Sequence, residues 1–425
     1  MSHTKVSVII PVWNGREYLP GCLDALLAQE YPDFEVIAVD NASVDGSAEL
    51  IAEQYPQVRL IRSSRNLGFA GGCNAGLKVA RGDVLVLLNQ DTVVLPGWLL
   101  ALVEALQQPE VGIVGCKILY PDGKTIQHAG GWIEWPLGLA HHYGHGELDQ
   151  GQWDQLREVE YVTGAAMAFW GHVVKQIGGM DEGFWPGYFE DADFCFRARE
   201  KGYKILYTYK AVVLHKETTS INDPFRLSCA YQKGRLRFVL KHMPPHRFLS
   251  EFVIAEKSYQ INALRGRENG PLQIAYLEAM FSVPFIAVTR WRADIQIMQA
   301  LLSSLQDLFE HAMIESRGIM GDQAPRSYAE IPSLDFPSPG FPFLKWFHFL
   351  LSLPILGPFI DHLRRFFFNV AARQVIQDLI RRQEAINQLL VESVMFLYKQ
   401  ISLYLLKELE DGTFEWINRD PRPRD

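Results

Sequence analysis

The 425-residue chain has few cysteines and no paired ones: Cys22, Cys73, Cys116, Cys195 and Cys229 stand singly, without a CxxC. That argues against a disulfide scaffold and the common structural zinc motifs, and it reads as reduced thiols in a cytosolic protein. No basic run occurs, and the net charge is −8. Phosphate backbones are held by clustered Lys and Arg, so nucleic acid is not expected as a partner. The first apolar stretch, residues 6–12, is too short for the core of a signal peptide, and Pro11 and Asn14 end it. It reads as a strand, which leaves the chain inside the cell. There is no internal repeat, and the glycine-rich stretch at 65–74 is not a P-loop, because no Gly-Lys-Ser/Thr follows it.

What is present is globular in character, with 48% apolar and 21% charged residues, and the length suggests two units. Strand patterns at 6–10, 35–39, 58–62 and 84–88 alternate with helical ones at 17–29, 47–54 and 74–80. Short apolar runs between amphipathic helices imply a parallel sheet covered on both faces, with ligands beyond the carboxyl ends of its strands. From about 109 to 215 the pattern is irregular, and 225–320 reads as largely helical. A Pro-rich linker is expected at 324–342. The division is therefore 1–242, 243–323, 324–342 and 343–425.

Several stretches carry chemistry. Asp40 closes a strand in Val39-Asp-Asn-Ala-Ser-Val-Asp-Gly46, where a carboxylate can hold a base or ribose, or simply serve a turn and N-cap. Arg65-Asn-Leu-Gly-Phe-Ala-Gly-Gly-Cys-Asn74 precedes an expected helix. Its glycines would let backbone N–H groups approach a phosphate, or make a plain tight turn. Asn89-Gln-Asp91 ends the fourth strand, and the period of two sets both side-chain oxygens on one side. Hard cations bridging a diphosphate want few protein oxygens, with phosphate and water completing the shell.

Glu190-Asp191-Ala-Asp193 packs three carboxylates into four residues. Such crowding raises at least one pKa. Arg197 lies one helical turn on, placed to pair with Asp193 and leave Glu190 and Asp191 free. Acids in a first turn also cap helices. His215 ends an apolar strand, where a lone histidine is usually structural. His141, His142 and His145 lie in a Gly-rich stretch that reads as a surface loop rather than a zinc site.

In this order and spacing the pieces resemble family 2 glycosyltransferases of the GT-A fold, particularly the bacterial rhamnosyltransferase-like branch. The resemblance runs through Val6-Ser-Val-Ile-Ile-Pro-Val-Trp-Asn14, the Asp40, Asn66–Asn74 and Asn89–Asp91 stretches, Val162-Thr-Gly-Ala-Ala-Met167, Phe189-Glu-Asp-Ala-Asp-Phe194 and Leu214-His215. It covers about residues 4–242. It implies an α/β GT-A fold with a mainly parallel central sheet, followed by a helical C-terminal region. By the same resemblance Asp40 holds the base, with Pro11 and Asn14 along the nucleotide, and Asn66, Asn74 and Asn89 line the donor pocket. Asp91 and His215 bind Mg²⁺ or Mn²⁺, and Asp191 is the general base, with Glu190 the alternative.

The implied reaction is inverting transfer from a UDP- or dTDP-sugar to a glycan or lipid-linked acceptor, in cell-surface polysaccharide synthesis. The sequence departs from the familiar pattern at Asn89, where many members carry Asp, which weakens the expectation of metal dependence. A catalytically silent sugar-nucleotide-binding scaffold is the rival reading, and intact Asp91, Asp191 and His215 stand against it. A nucleotidyltransferase would carry a Gly-rich basic loop after its first strand, where Val12-Trp-Asn-Gly15 stands.

The C-terminal third reads differently. Residues 341–360 form an apolar block interrupted by Lys345, His348 and three prolines. A lipid-spanning helix is not expected there. A peripheral helix at the inner face of the cell membrane, beside Arg364 and Arg365, fits, as does a patch buried against the catalytic domain. Ile376, Leu379, Ile386, Leu390 and Leu397 recur at helical spacing, which favours a helical hairpin or a homodimer seam.

Overall fold

A computed structural model describes residues 4–216, 223–265, 269–293 and 295–320. The expected linker at 324–342, the 341–360 block with its membrane reading, and the C-terminal dimer helices lie outside the described residues.

Four apolar segments form the first half of the sheet: β1 (Val6–Val12), β2 (Phe34–Asp40), β3 (Arg59–Arg62) and β4 (Val84–Leu88). They run parallel in the order β3–β2–β1–β4. β1 and β4 are nearly continuous Val, Ile and Leu, buried on both faces as strands between two helix layers must be. Helices α1 (Leu19–Leu27), α2 (Ser47–Gln54) and α3 (Gly68–Leu77) make the crossovers. The third corrects the sequence reading, since α3 starts at Gly68 rather than near residue 74. Its glycines sit inside the helix for reasons of packing. A Cβ on Gly76 would stand 2.3 Å from Ile9 Cγ2, and one on Gly72 2.7 Å from Asn41 Nδ2. Only glycine lets α3 lie this close to β1 and the end of β2.

After β5 (Thr92–Val94) and α4 (Trp98–Leu106), the stretch that looked irregular supplies the rest of the sheet, beginning with β6 (Val111–Leu119), which is buried along its whole length. Lys117 is tolerated there because Asp149 and Asp154 both hold its ammonium. Next come β7 (Ile126–His128), the hairpin of β8 (Gly131–Glu134) and β9 (Leu139–His142), and β10 (Arg157–Glu158). β11 (Ala166–Trp170), α5 (Gly171–Ile177), α6 (Glu190–Arg199) and β12 (Lys204–His215) complete the unit's sheet region. β11 runs antiparallel between β4 and β6, so the sheet is mainly rather than wholly parallel. β12 runs parallel to β6, and its last residues pair antiparallel with β5, setting His215 opposite Thr92.

The helical expectation for 225–320 is met by α7 (Pro224–His242), the single turn α8 (Pro245–Arg247), α9 (Val253–Arg265), α10 (Asn269–Trp291) and α11 (Ile295–Met320). Met1–Ser316 form one compact unit, so the sheet and most of these helices fold as a single body. Among the described residues one helix, Gly270–Trp291, is long and apolar enough to cross a membrane. It packs along α7 and gives Tyr276, Met280 and Val283 to the core.

Arg235 of α7 is fully buried and meets Glu256 of α9 in a two-pronged pair at 2.8 and 2.5 Å, while Tyr276 donates to the same carboxylate at 2.6 Å. Removing one partner strands a charge away from water. Glu256→Ala is therefore expected to cost about 3–5 kcal/mol of stability in denaturant unfolding, and a joint Arg235→Met, Glu256→Leu replacement to recover much of it. A loss under 1 kcal/mol (roughly the worth of an exposed pair) would contradict this.

Candidate active site

The carboxyl ends of β1, β2 and β4 are stitched together by side chains in the loops that follow. Gln90 bonds both backbone groups of Trp13, its Oε1 accepting and its Nε2 donating at 3.0 Å each. Asn14 adopts a left-handed φ of 48°; its N–H donates to Ser43 Oγ at 3.0 Å and its Oδ1 accepts from Val44 N at 2.9 Å. Asp40 is buried at the end of β2, with Oδ1 accepting from Ser43 N at 3.2 Å. Asn14 and Asp40 thus both bond the Ser43–Val44 loop, and Pro11 lies opposite Val39 at the paired ends of β1 and β2.

The glycine segment behaves differently from the expected phosphate cradle. Gly68 N donates to Asn66 Oδ1 at 2.8 Å and Phe69 N to the Pro186 carbonyl at 3.1 Å, so these amides at the start of α3 already have partners. Asn66 is exposed. Asn74 is spent on the protein: its Nδ2 donates to Met180 O and its Oδ1 accepts from Met180 N, both at 2.9 Å. Asn41, which its sequence context did not single out, is buried and donates to Gly68 O at 3.0 Å, tying β2 to α3.

Asn89 and Asp91 follow β4 and do meet His215, but through a turn rather than the period of two. Thr92 Oγ1 donates to Asn89 O at 2.6 Å, closing that turn. His215 Nε2 lies 3.2 Å from Asp91 Oδ1 and 3.4 Å from Asn89 Nδ2. Its Nδ1 is 2.7 Å from Gln127 Oε1, and since an amide oxygen only accepts, Nδ1 carries the proton. The Nε2 lone pair then lies within reach of the Asn89 amide N–H and beside an Asp91 carboxylate oxygen, so imidazole nitrogen and carboxylate oxygen stand together as two donors a cation would take. Two ligands about 2.1 Å from an octahedral ion stand roughly 3 Å apart, close to the separation seen here. Asp91 and His215 would therefore fit as two ligands of a divalent ion. Among the described residues no three His, Cys, Asp or Glu side chains converge on a metal position, and His142 and His145 are exposed.

The three carboxylates of α6 have separate fates. Asp193 accepts from Arg197 Nε at 2.8 Å and from His242 Nε2 at 2.9 Å, with Lys241 also in contact. Burial pushes Asp193 up, but Lys241, Arg197 and His242 outweigh it and hold the group well below the usual range. Glu190 is buried with Oε2 unpartnered; burial first, and then Asp191, push it well above the carboxylate range. It is the member whose pKa is raised, as the crowding implied. Asp191 forms no ion pair among the described residues and accepts from Gly164 N at 3.0 Å and Ala192 N at 2.7 Å.

Ala165 next to that glycine accepts from Asn89 N at 2.8 Å, so one short segment touches both Asp191 and the end of β4. Tyr188 and Phe189 enter α6 with φ of 78° and 70°, values bulky residues rarely adopt. Tyr231 of α7 packs against both rings and helps hold this strained entry.

The sequence profile of Glycosyl transferase family 2 matches residues 7–157, and that of Glycosyl transferase family group 2 matches 84–244. The two overlap and together span every residue of this site. The chain belongs to glycosyl transferase family 2. This family 2 glycosyltransferase has the mixed, mostly parallel sheet of the GT-A fold, with β11 inserted antiparallel beside β4 and with β5, β7 and β10 also antiparallel.

O-antigen biosynthesis protein RfbC of Myxococcus xanthus is 34% identical over 229 residues, 51% of this chain and 18% of that protein. An N-acetylglucosaminyl-diphospho-decaprenol L-rhamnosyltransferase of Mycobacterium tuberculosis is 29% identical over 242 residues, 50% of this chain and 76% of that enzyme. An uncharacterized protein, y4gI, of Sinorhizobium fredii is 33% identical over 51% of this chain. The match spans a quarter or less of y4gI and RfbC, at 25% and 18% of their lengths.

Proposed function

We propose that this glycosyltransferase moves a sugar, with inversion, from a UDP- or dTDP-sugar to a hydroxyl of a glycan or lipid-linked acceptor in cell-surface polysaccharide synthesis. The observation that carries the reading is the pairing of Asp91 with His215, 3.2 Å apart, beside a segment that also bonds Asp191. The names of RfbC and of the mycobacterial rhamnosyltransferase favour the polysaccharide setting.

Asp191 takes the acceptor hydroxyl's proton as that oxygen attacks the anomeric carbon from the face opposite the nucleotide. The N–H groups of Gly164 and Ala192 orient its carboxylate for this. Glu190 is buried beside it, its carboxyl pushed well above the usual range by burial and by Asp191. Asp40 and Pro11 are placed to meet the nucleoside end of the donor, at the carboxyl ends of β2 and β1. Asp91 and His215 would hold Mg²⁺ or Mn²⁺, which when bound supplies positive charge for the departing diphosphate.

A panel of UDP-, dTDP- and GDP-sugars, read by thermal shift in the presence of Mn²⁺, tests the donor. Stabilisation is expected from a UDP- or dTDP-sugar. A response to GDP-sugars alone would overturn the base assignment, and a response to none would favour the scaffold reading.

A further inference from the structure

Gln127 has no neighbour in sequence that marks it as functional. Its position comes from an irregularity in the sheet. The antiparallel register of β6 with β7 steps from Ile118 opposite His128 to Leu119 opposite Ile126, which leaves Gln127 as the extra residue of a bulge. Bulges disrupt the ladder locally and re-aim a side chain, often next to an active site. Here the carbonyl of Gln127 accepts from His145 Nδ1 at 3.1 Å. Its side chain, buried on a strand that otherwise pairs with β6, reaches His215 Nδ1 at 2.7 Å.

We propose that Gln127 is a positioning residue that orients His215 as a metal ligand. By accepting the Nδ1 proton it fixes the ring's tautomer, and it turns the Nε2 lone pair toward Asp91 Oδ1. Metal-bound imidazoles are held this way by an outer acceptor on the second nitrogen, and losing that acceptor costs about 10- to 100-fold in affinity. The inference rests on the Asp91–His215 metal reading above. It adds a residue that touches neither metal nor sugar.

The test is Mn²⁺ binding to the full chain in the presence of UDP, followed by electron paramagnetic resonance, with circular dichroism as the check on folding. Gln127→Leu, which cannot accept the proton, is expected to bind Mn²⁺ about 10- to 100-fold more weakly. Gln127→Glu keeps an acceptor and is expected to bind at least as tightly as the unsubstituted chain. Equal affinity in a folded Gln127→Leu protein would overturn the inference and leave the metal site standing. So would a tenfold loss in Gln127→Glu, which would mean that the amide donates to the ring instead; this arm also decides the matter if the leucine variant does not fold. An unsubstituted chain that binds no Mn²⁺ with UDP would overturn the metal reading itself, and this inference with it.

Discussion

Asp191→Asn is expected to lower turnover by about 10²- to 10⁴-fold, the usual worth of a positioned general base. UDP binding should hardly change, because the base serves the acceptor. The substitution keeps the side-chain volume but cannot take a proton, and it gives Gly164 N an amide nitrogen or a single oxygen to face instead of a carboxylate. Glu190→Gln supplies the control. Glu190 is buried and its carboxyl is pushed well above the usual range, so a neutral isostere is expected to change little and leave near-normal turnover. The reverse pattern, a large loss in Glu190→Gln beside an active Asp191→Asn, would transfer the base role to Glu190.

Transfer should cease in EDTA, and Asp91→Ala and His215→Ala should each weaken Mn²⁺-dependent UDP binding. Asn89 contributes no charge, so Asp91 is the one carboxylate at this position and its removal leaves an imidazole alone to hold the ion. An imidazole ligand also makes Mn²⁺ the expected better activator over Mg²⁺. Nucleotide-dependent thermal shifts with and without Mn²⁺ measure the binding directly. Full activity in EDTA would remove the metal from the mechanism and leave His215 as a structural residue pinned by Gln127.

β1, β2 and β4 were legible in the sequence because a strand buried on both faces must be a near-continuous apolar run, and α2 was read at its observed bounds, 47–54. The polar residues that follow such runs, Asp40, Asp91 and His215, were legible for the same reason, since a polar group directly after a buried strand stands out. Arg197 pairing with Asp193 followed from helical spacing alone.

Other features depended on partners far away in the chain. The antiparallel insertion of β11 left no local mark, because a short run such as Ala-Met-Ala-Phe-Trp does not reveal which neighbour it joins or in which direction. The glycines at 68, 71 and 72 read as a phosphate loop or a tight turn, whereas the contacts of Gly72 with Asn41 and of Gly76 with Ile9 show what allows a helix to lie on the sheet. Asn74 looked like a ligand residue and instead bonds Met180, more than a hundred positions on.

By itself, then, the sequence determined the alternation of strands and helices, and the oxygen and nitrogen donors that could serve a sugar nucleotide. Only the tertiary structure decided which of those donors face one another. Whether Asp91 meets His215, whether Glu190 is buried, and whether a bulge turns Gln127 onto an imidazole all depend on strands brought together from distant parts of the chain, and burial and close packing are set only once they have met.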